Sequence, residues 1–208
     1  MDAVRVIVTG LVCYFLGNHN GAICVSNMLH DDVRSHGSGN AGLTNFIRNY
    51  GAGRSVLVIL IDVGKAVLAC LIAGMVFAPF GLELEGRTFG GVCVMLGHDF
   101  PALQGFRGGK GILSGWFIAW TVDWRIGLAI VAVFALTYLI SQIVSLGSVL
   151  AAVTFAVCFI VWHRDNLFVM ACGLFMGGLT LFMHRQNIRR LVKGQEPKTN
   201  LFGKGTRK

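Results

Sequence analysis

Charge is what this chain has least of. Of its 208 residues, 54% are apolar and only 13% are Asp, Glu, Lys or Arg, where an average soluble domain carries about 25% charged residues. Long apolar runs accompany the scarcity, so the chain reads as an integral membrane protein. Cysteine pairing is missing too. Cys13, Cys24, Cys70, Cys93, Cys158 and Cys172 lie in or beside apolar runs without a C-x-x-C spacing, which argues against a disulfide framework or a thiolate metal site and makes them small buried hydrophobes. The N-terminus lacks a basic leader and a small-residue cleavage site, so its first apolar run is expected to be retained as a spanning helix. No internal repeat and no separate soluble domain is visible, and residues 1–208 are expected to form one domain ending in a basic tail, 193–208.

What the chain has in excess is glycine, 28 of 208 residues, about twice the usual ~7%. Glycine lets membrane helices approach closely and lets irregular backbone bend around a site. A bilayer core of about 30 Å needs ~20 apolar residues of helix. Runs 4–26, 55–79, 125–145 and 165–184 meet that length, and 146–162 nearly does. Runs 87–98 and 111–122 are short, as in proteins whose broken helices line a buried polar cavity. The expected fold is therefore all-α and polytopic, with about seven transmembrane helices, or five if the short runs are re-entrant.

Orientation follows from where the cations sit. Arg34, Arg48 and Arg54 lie in 31–54, Arg107 and Lys110 in 100–110, and eight of the eighteen Lys and Arg from 185 onward. Glu83 and Glu85 offset Arg87 in the connection at 80–87. Lys and Arg in short connections mark the cytoplasmic side. With seven spans, all three basic segments share that side, the C-terminus is cytoplasmic and the N-terminus lies outside.

Three polar clusters occupy that face. In GSGNAGLTNFIRNYG, 37–51, Gly37, Gly39 and Gly42 free the backbone to present N–H groups, Ser38, Asn40, Thr44 and Asn45 add neutral donors, and Arg48 adds a fixed positive fork. Such a set suits an anion, and it suits equally a polar loop leading into a helix. GHDFPALQGFRGGKGILSG, 97–115, contains GFRGGKG, which departs from a Walker A loop because Gln104 and Gly111 stand at defining positions. Without a hydroxyl for nucleotide-bound magnesium, it reads as an electropositive loop able to close over phosphate, or as a cytoplasmic turn held by charge. In HRQNIRRLVKG, 184–194, His184 and Asn187 share a helical face that Ile188 and Leu191 continue. Arg185, Arg189, Arg190 and Lys193 are expected to face water or anionic headgroups, while His184 can accept a proton near neutral pH.

Deeper in the second span, Asp62 and Lys65 stand three residues apart. Charges there are costly and usually paired, and a structural ion pair is the expected arrangement. Ser145 and Ser148 have the same spacing near the cytoplasmic end of a later span.

Taken together, GSGNAGLTN at 37–45 with Arg48, IDVGKA at 61–66, GHDFPALQGFRGGKG at 97–111, SLGS at 145–148 and HRQNIRRLVKGQE at 184–196 closely resemble the acyl-phosphate–glycerol-3-phosphate acyltransferases of bacterial membranes, the PlsY type. The likeness runs in order along almost the whole chain. Departures are local: GNHNGA at 17–22 replaces a proline-containing turn, Ala41 replaces proline, and Ala66 replaces glycine.

The resemblance implies transfer of a fatty acyl chain from acyl phosphate to the sn-1 hydroxyl of glycerol 3-phosphate, at the inner face of the bacterial cytoplasmic membrane. It implies no cofactor, no metal and no nucleic acid, a monomer in the bilayer, and transient contact with the soluble enzyme that makes acyl phosphate. By the same resemblance Ser38, Arg48, Lys110, Ser148, His184 and Asn187 would hold the acceptor, with Ser38, Lys110, His184 and Asn187 closest to the chemistry. Gly37, Gly39, Asn40, Arg107 and Ser145 would complete the substrate site. Thr44, Asn45 and the amides of Gly108, Gly109 and Gly111 would cradle the donor phosphate and the developing oxyanion. The chain has no G-x-S-x-G elbow, and His98-Asp99 and His163-Arg164-Asp165 have the wrong spacing for the H-x-x-x-x-D signature of acyl-CoA and acyl-carrier-protein acyltransferases. A direct attack in a ternary complex is the expected route. The competing class is a small-anion transporter or channel, for which midplane polar groups and inverted repeats are expected instead.

Overall fold

The computed structural model describes residues 2–199. Among these, regular structure is helical throughout, with no strand. Ten α-helices follow in order: α1 Ala3–Asn18, α2 Gly21–Met28, α3 Leu43–Tyr50, α4 Ala52–Phe77, α5 Glu83–Asp99, α6 Ile112–Val122, α7 Trp124–Ser141, α8 Val144–His163, α9 Leu167–Met183 and α10 Arg185–Val192. The tail segment 200–208 lies outside the described residues.

Each apolar run becomes a helix or a bent pair. The first run breaks between α1 and α2 with a 46° bend. The unusual segment at 17–22 is the reason. Asn20 stands between the helices with extended backbone, its side chain accepts from the Ile23 amide as an N-cap of α2, and its Nδ2 donates to the Ala41 carbonyl at 3.0 Å. The last run breaks at His184, where α9 meets α10 at 60°. The run 87–98 recruits residues on its N-terminal side: α5 starts at Glu83, which Arg87 grips one turn later at 2.6 Å. Among the described residues α4, α7 and α8 are long and apolar enough to cross a bilayer alone, and counting each bent pair as one span brings the number to five. With 17 and 11 residues, α5 and α6 rise about 25 and 17 Å.

Helix α5 is central, packed on α4 and α1. Two glycines make this possible. A Cβ at Gly90 would strike the Ala69 carbonyl of α4, and one at Gly97 would strike the Tyr14 carbonyl of α1. Close approach of this kind replaces the hydrophobic drive that lipid cannot supply. Cys13, Val94, Met95, Ile118, Ile126, Phe155, Phe159 and Met176 form the main apolar core. A second core of Ile23, Val33, Phe46 and Val58 lies under the first polar loop. Facing outward are Ile7, Leu11, Leu60, Leu68, Met75, Leu136, Leu139, Val161 and Phe175. So large an exposed apolar surface is ordinary only where lipid is the solvent.

The expected Asp62–Lys65 pair is present and buried, at 2.8 Å. It is part of a larger set. Asp62 also accepts from the Gly21 amide at the start of α2, and Lys65 reaches the Gly17 and His19 carbonyls and His98 Nδ1. The pair thus closes the break in the first span onto α4 and α5.

Candidate active site

The first polar cluster is a loop organised around one amide. Asn45, the third residue of α3, donates through Nδ2 to the carbonyls of Val33, His36 and Asn40, and its Oδ1 accepts from the Ser38 amide at 3.0 Å. Gly37 and Gly39 have φ of 56° and 69°, the left-handed region open to glycine. Asn45 was expected to touch phosphate; its donors are instead spent on shaping the loop. Its neighbours Ser38, Asn40, Thr44 and Arg48 are the residues that the loop turns toward open space.

The second cluster is fixed at root and tip. At the root, Tyr14 Oη donates to the Phe100 carbonyl at 2.7 Å and accepts from the Ala102 amide, while Asn18 Oδ1 accepts from the Leu103 amide. At the tip, Arg34 donates to the carbonyls of Gln104 and Arg107, with Asp32 gripping its other edge. Arg34 counted in the sequence only as a topological charge; here it ties the first loop to the second. The amides of Gly108 and Gly109 donate to the Asp99 and His98 carbonyls at 3.2 and 3.1 Å. That corrects the expected amide cradle: these two N–H groups bind the loop to the end of α5. Gly111, with φ of 69°, turns the chain into α6 and leaves Lys110 pointing away from the loop.

The third cluster sits at the α9–α10 break. His184 Nδ1 lies 2.8 Å from the Thr180 carbonyl. A carbonyl can only accept, so Nδ1 carries the proton, and Nε2 of the neutral ring is an acceptor. Asn187, three residues on, accepts from Lys110 Nζ through Oδ1 at 2.5 Å and donates through Nδ2 to Glu196 at 2.7 Å. Arg190, expected to face water or headgroups, is ion-paired to Glu196 at 2.6 Å. Glu196 arrives on a strap that folds back after α10. The strap is pinned where the Thr199 amide donates to the Gln142 carbonyl, the Thr199 carbonyl accepts from Tyr138, and the Thr199 hydroxyl meets Arg48.

These pieces enclose one cavity of about 630 Å³. Its polar end carries Ser38, Asn40, Thr44, Arg48, Lys110, His184, Asn187, Arg190 and Glu196; its other end is walled by Trp116, Ile130, Phe134, Ala151, Ala152 and Phe155 of α6, α7 and α8. Ser145, Ser148, Asp62 and His98 also reach the wall. Burial holds the Lys110 ammonium down at about 8, with Arg190 and Arg185 adding to the effect and Glu196 opposing it. Burial alone would raise the Glu196 carboxyl, but hydrogen bonds led by that from Arg190 hold it below the usual carboxylate range. A bound dianion would relieve the crowding of Lys110 and Arg190.

All four residues expected nearest the chemistry, Ser38, Lys110, His184 and Asn187, therefore line one cavity, together with Asn40, Thr44, Asn45, Arg48, Gly111, Ser145 and Ser148. Gly37, Gly39, Arg107, Gly108 and Gly109 do not line it, and the Arg107 side chain is exposed. Glu196, Arg190, Arg34 and His98 were missed as parts of the site. The sequence held one usable signal for Glu196: an acidic residue just beyond a strongly basic helix.

A protein-family model described as glycerol-3-phosphate acyltransferase matches residues 7–194. A glycerol-3-phosphate acyltransferase of Finegoldia magna is 33% identical over 199 residues, covering 95% of this chain and 98% of the relative. The crystal structure of PlsY (YgiH), an integral membrane glycerol 3-phosphate acyltransferase, in its glycerol 3-phosphate form, superposes with a TM-score of 0.84 at 29% identity, covering 95% of this chain and 99% of that one. Its lysophosphatidic acid form gives 0.81 at the same 29% identity, over 94% of this chain and 95% of the other.

Proposed function

The chain belongs to the glycerol-3-phosphate acyltransferase family, and from that membership we propose how its cavity carries out the reaction. The protein transfers a fatty acyl group from acyl phosphate to the sn-1 hydroxyl of glycerol 3-phosphate, giving lysophosphatidic acid and phosphate. The observation that carries the residue assignments is the division of the cavity into a cationic, hydrogen-bonding end and an apolar end. Both substrates bring a phosphate; only the donor brings a hydrocarbon tail.

In this reading the donor tail lies among Trp116, Phe134 and Phe155, and its phosphate lies near Thr44 and Gly111. Glycerol 3-phosphate is held by Ser38, Arg48, Lys110, Ser148, His184 and Asn187. Acyl phosphate is already activated, so the acceptor oxygen attacks the acyl carbon directly. A new C–O bond forms, the bond from acyl carbon to phosphate oxygen breaks, and phosphate leaves with the electron pair. His184 Nε2 takes the hydrogen bond from the attacking hydroxyl and orients it, and the departing phosphate or the imidazole receives the proton. Lys110, with fixed dipoles around it, stabilises the charge that develops.

For topology we propose seven crossings, with α5 and α6 as the short ones. The N-terminus then lies outside, and the cavity's polar end and the basic tail 193–208 face the cytoplasm. This places all three basic segments on the side where Lys and Arg accumulate. A bacterial cytoplasmic membrane, a single acyltransferase domain, a monomer and transient contact with the enzyme that makes acyl phosphate complete the proposal. A transporter is disfavoured because the polar lining gathers at one end of the cavity.

The test is direct. Purified protein given palmitoyl phosphate and radiolabelled glycerol 3-phosphate is expected to form labelled lysophosphatidic acid, and to form none when palmitoyl-CoA replaces the acyl phosphate. Equal use of both donors would remove acyl phosphate as the specific substrate.

A further inference from the structure

The mechanism above leaves one buried titratable side chain on the cavity wall without a task. His98, near the end of α5, is 4% exposed and lines the cavity together with Asp62. Its Nδ1 lies 2.7 Å from Lys65 Nζ. The other groups around that nitrogen are Asp62 Oδ1 at 2.8 Å, the His19 carbonyl at 3.1 Å and the Gly17 carbonyl at 3.2 Å. With a carboxylate and two carbonyls beside it Lys65 is an ammonium, which can only donate, and its three N–H groups are shared among these and the imidazole. Nδ1 of His98 is therefore an acceptor, and the ring proton sits on Nε2. Asp62 Oδ1, 3.5 Å from the same Nδ1, is the weaker claimant, since it is already taken by Lys65 and by the Gly21 amide.

The Nε2 edge faces the second polar loop at Gly109. The space a Cβ would need at residue 109 is occupied by His98 Nε2, with Cδ2 beside it. The Gly109 amide meanwhile donates to the His98 carbonyl at 3.1 Å. So the glycine before Lys110 does not offer its amide to a ligand; it leaves room for an imidazole. Among the described residues no group accepts from Nε2. A polar N–H that is buried, oriented and unaccepted has a role waiting for it.

We propose that His98 is a further substrate-contacting residue, a neutral imidazole whose Nε2–H, aimed by Lys65 and Asp62, donates to an anionic oxygen of the bound substrates beside Lys110. The ligand chemistry is a phosphoryl oxygen, or the carbonyl oxygen that gains charge as the acyl group is attacked. A neutral donor suits this place: it adds a hydrogen bond without adding a third positive charge to Lys65 and Lys110, and the adjoining ion pair fixes its tautomer in advance. The proposal rests on the cavity being the acyl-transfer site, and its first test does not require activity.

Protein labelled with ¹⁵N-histidine in detergent micelles, with the His98 signals assigned by their loss in His98→Gln, is expected to show His98 as the Nε2–H tautomer between about pH 6 and 8. Titration with inorganic phosphate is expected to move the Nε2 signal while Nδ1 stays. An Nδ1–H tautomer or an imidazolium would overturn the proposal even if acyl transfer proceeds, and no response to phosphate would overturn the phosphoryl oxygen as the acceptor in favour of the carbonyl oxygen. In the acyl-transfer assay, His98→Ala is expected to lose about 10²-fold in kcat/KM, the size of one lost donor. His98→Gln, which keeps an N–H at the far end, is expected to recover about tenfold of that loss, with melting temperatures matched in micelles. A fall in kcat alone assigns the carbonyl oxygen, and a rise in KM assigns a phosphate. Unchanged kcat and KM in His98→Ala, or Ala and Gln variants equally impaired, would overturn it.

Discussion

Lys110 shares the polar end of the cavity with two guanidinium groups, those of Arg48 and Arg190. It is half-buried, bonded to Asn187 and flanked by Arg190, and in the proposed mechanism a substrate phosphate is its counter-ion. Lys110→Ala is expected to lower kcat/KM at least ~10²-fold. Lys193→Ala, in an exposed position, is expected to change it little; similar losses would mean a diffuse field instead of a point contact. The pH dependence has a definite sign. Since burial brings Lys110 to about 8 in the free protein, kcat/KM is expected to fall as pH rises above that value, because the charge is lost there. The residual activity of Lys110→Arg is expected to lack this alkaline limb, as a guanidinium stays charged. A limb unmoved in that variant would assign it to another group. Fold stability runs the other way: between about 8 and the ordinary lysine value of 10.5, the unfolded chain binds the proton the fold has shed, so this residue's contribution rises with pH.

At the scale of the helix, the sequence was most readable where a period governs the outcome. His184 and Asn187, three residues apart, do share the cavity, because a helix turn places them so. Asp62 and Lys65 pair for the same reason. Loop chemistry was less readable. Asn45 and the glycines at 108 and 109 have the composition of an anion nest, yet their hydrogen bonds go to the protein's own carbonyls. Which way a backbone amide points depends on partners that a local reading cannot supply, here the end of α5. The glycines inside helices are legible only as close contacts. Gly97→Ala would drive a methyl into the Tyr14 carbonyl, whereas Gly64, inside α4, has nothing within 4 Å of an added Cβ. Gly97→Ala is expected to cost about 1–3 kcal/mol and to lower the melting temperature in micelles, while Gly64→Ala leaves it unchanged or higher. Equal shifts would show that α5 does not depend on close approach to α1.

Across the whole molecule, apolar run lengths foretold α4 and α6 to α9 to within a few residues, but not the short α3, the start of α5 at Glu83, or the two breaks at 19–20 and 184 that bend the first and last runs. At the second break His184 is held locally, its Nδ1 on the Thr180 carbonyl, whereas the first depends on a contact distant in sequence, Asn20 with Ala41. Glu196 was hidden for a similar cause, since it joins the site only when residues 195–199 fold back onto α7. The proposed sidedness has a simple check. In a cysteine-free background, His36→Cys and Gln195→Cys are expected to react with an impermeant maleimide only from the cytoplasmic side, and Glu83→Cys only from outside. Labelling of residue 36 from outside would invert the proposed topology.

The central claim is that both substrates occupy one cavity and that the acyl group passes between them without resting on the protein. Rapid mixing of enzyme with acyl phosphate alone, with phosphate release followed through the first turnover, tests it most directly. Direct transfer predicts no burst until glycerol 3-phosphate is added, and then one phosphate for each lysophosphatidic acid. A burst equal to the enzyme concentration without the acceptor would reveal an acyl-enzyme and contradict the account.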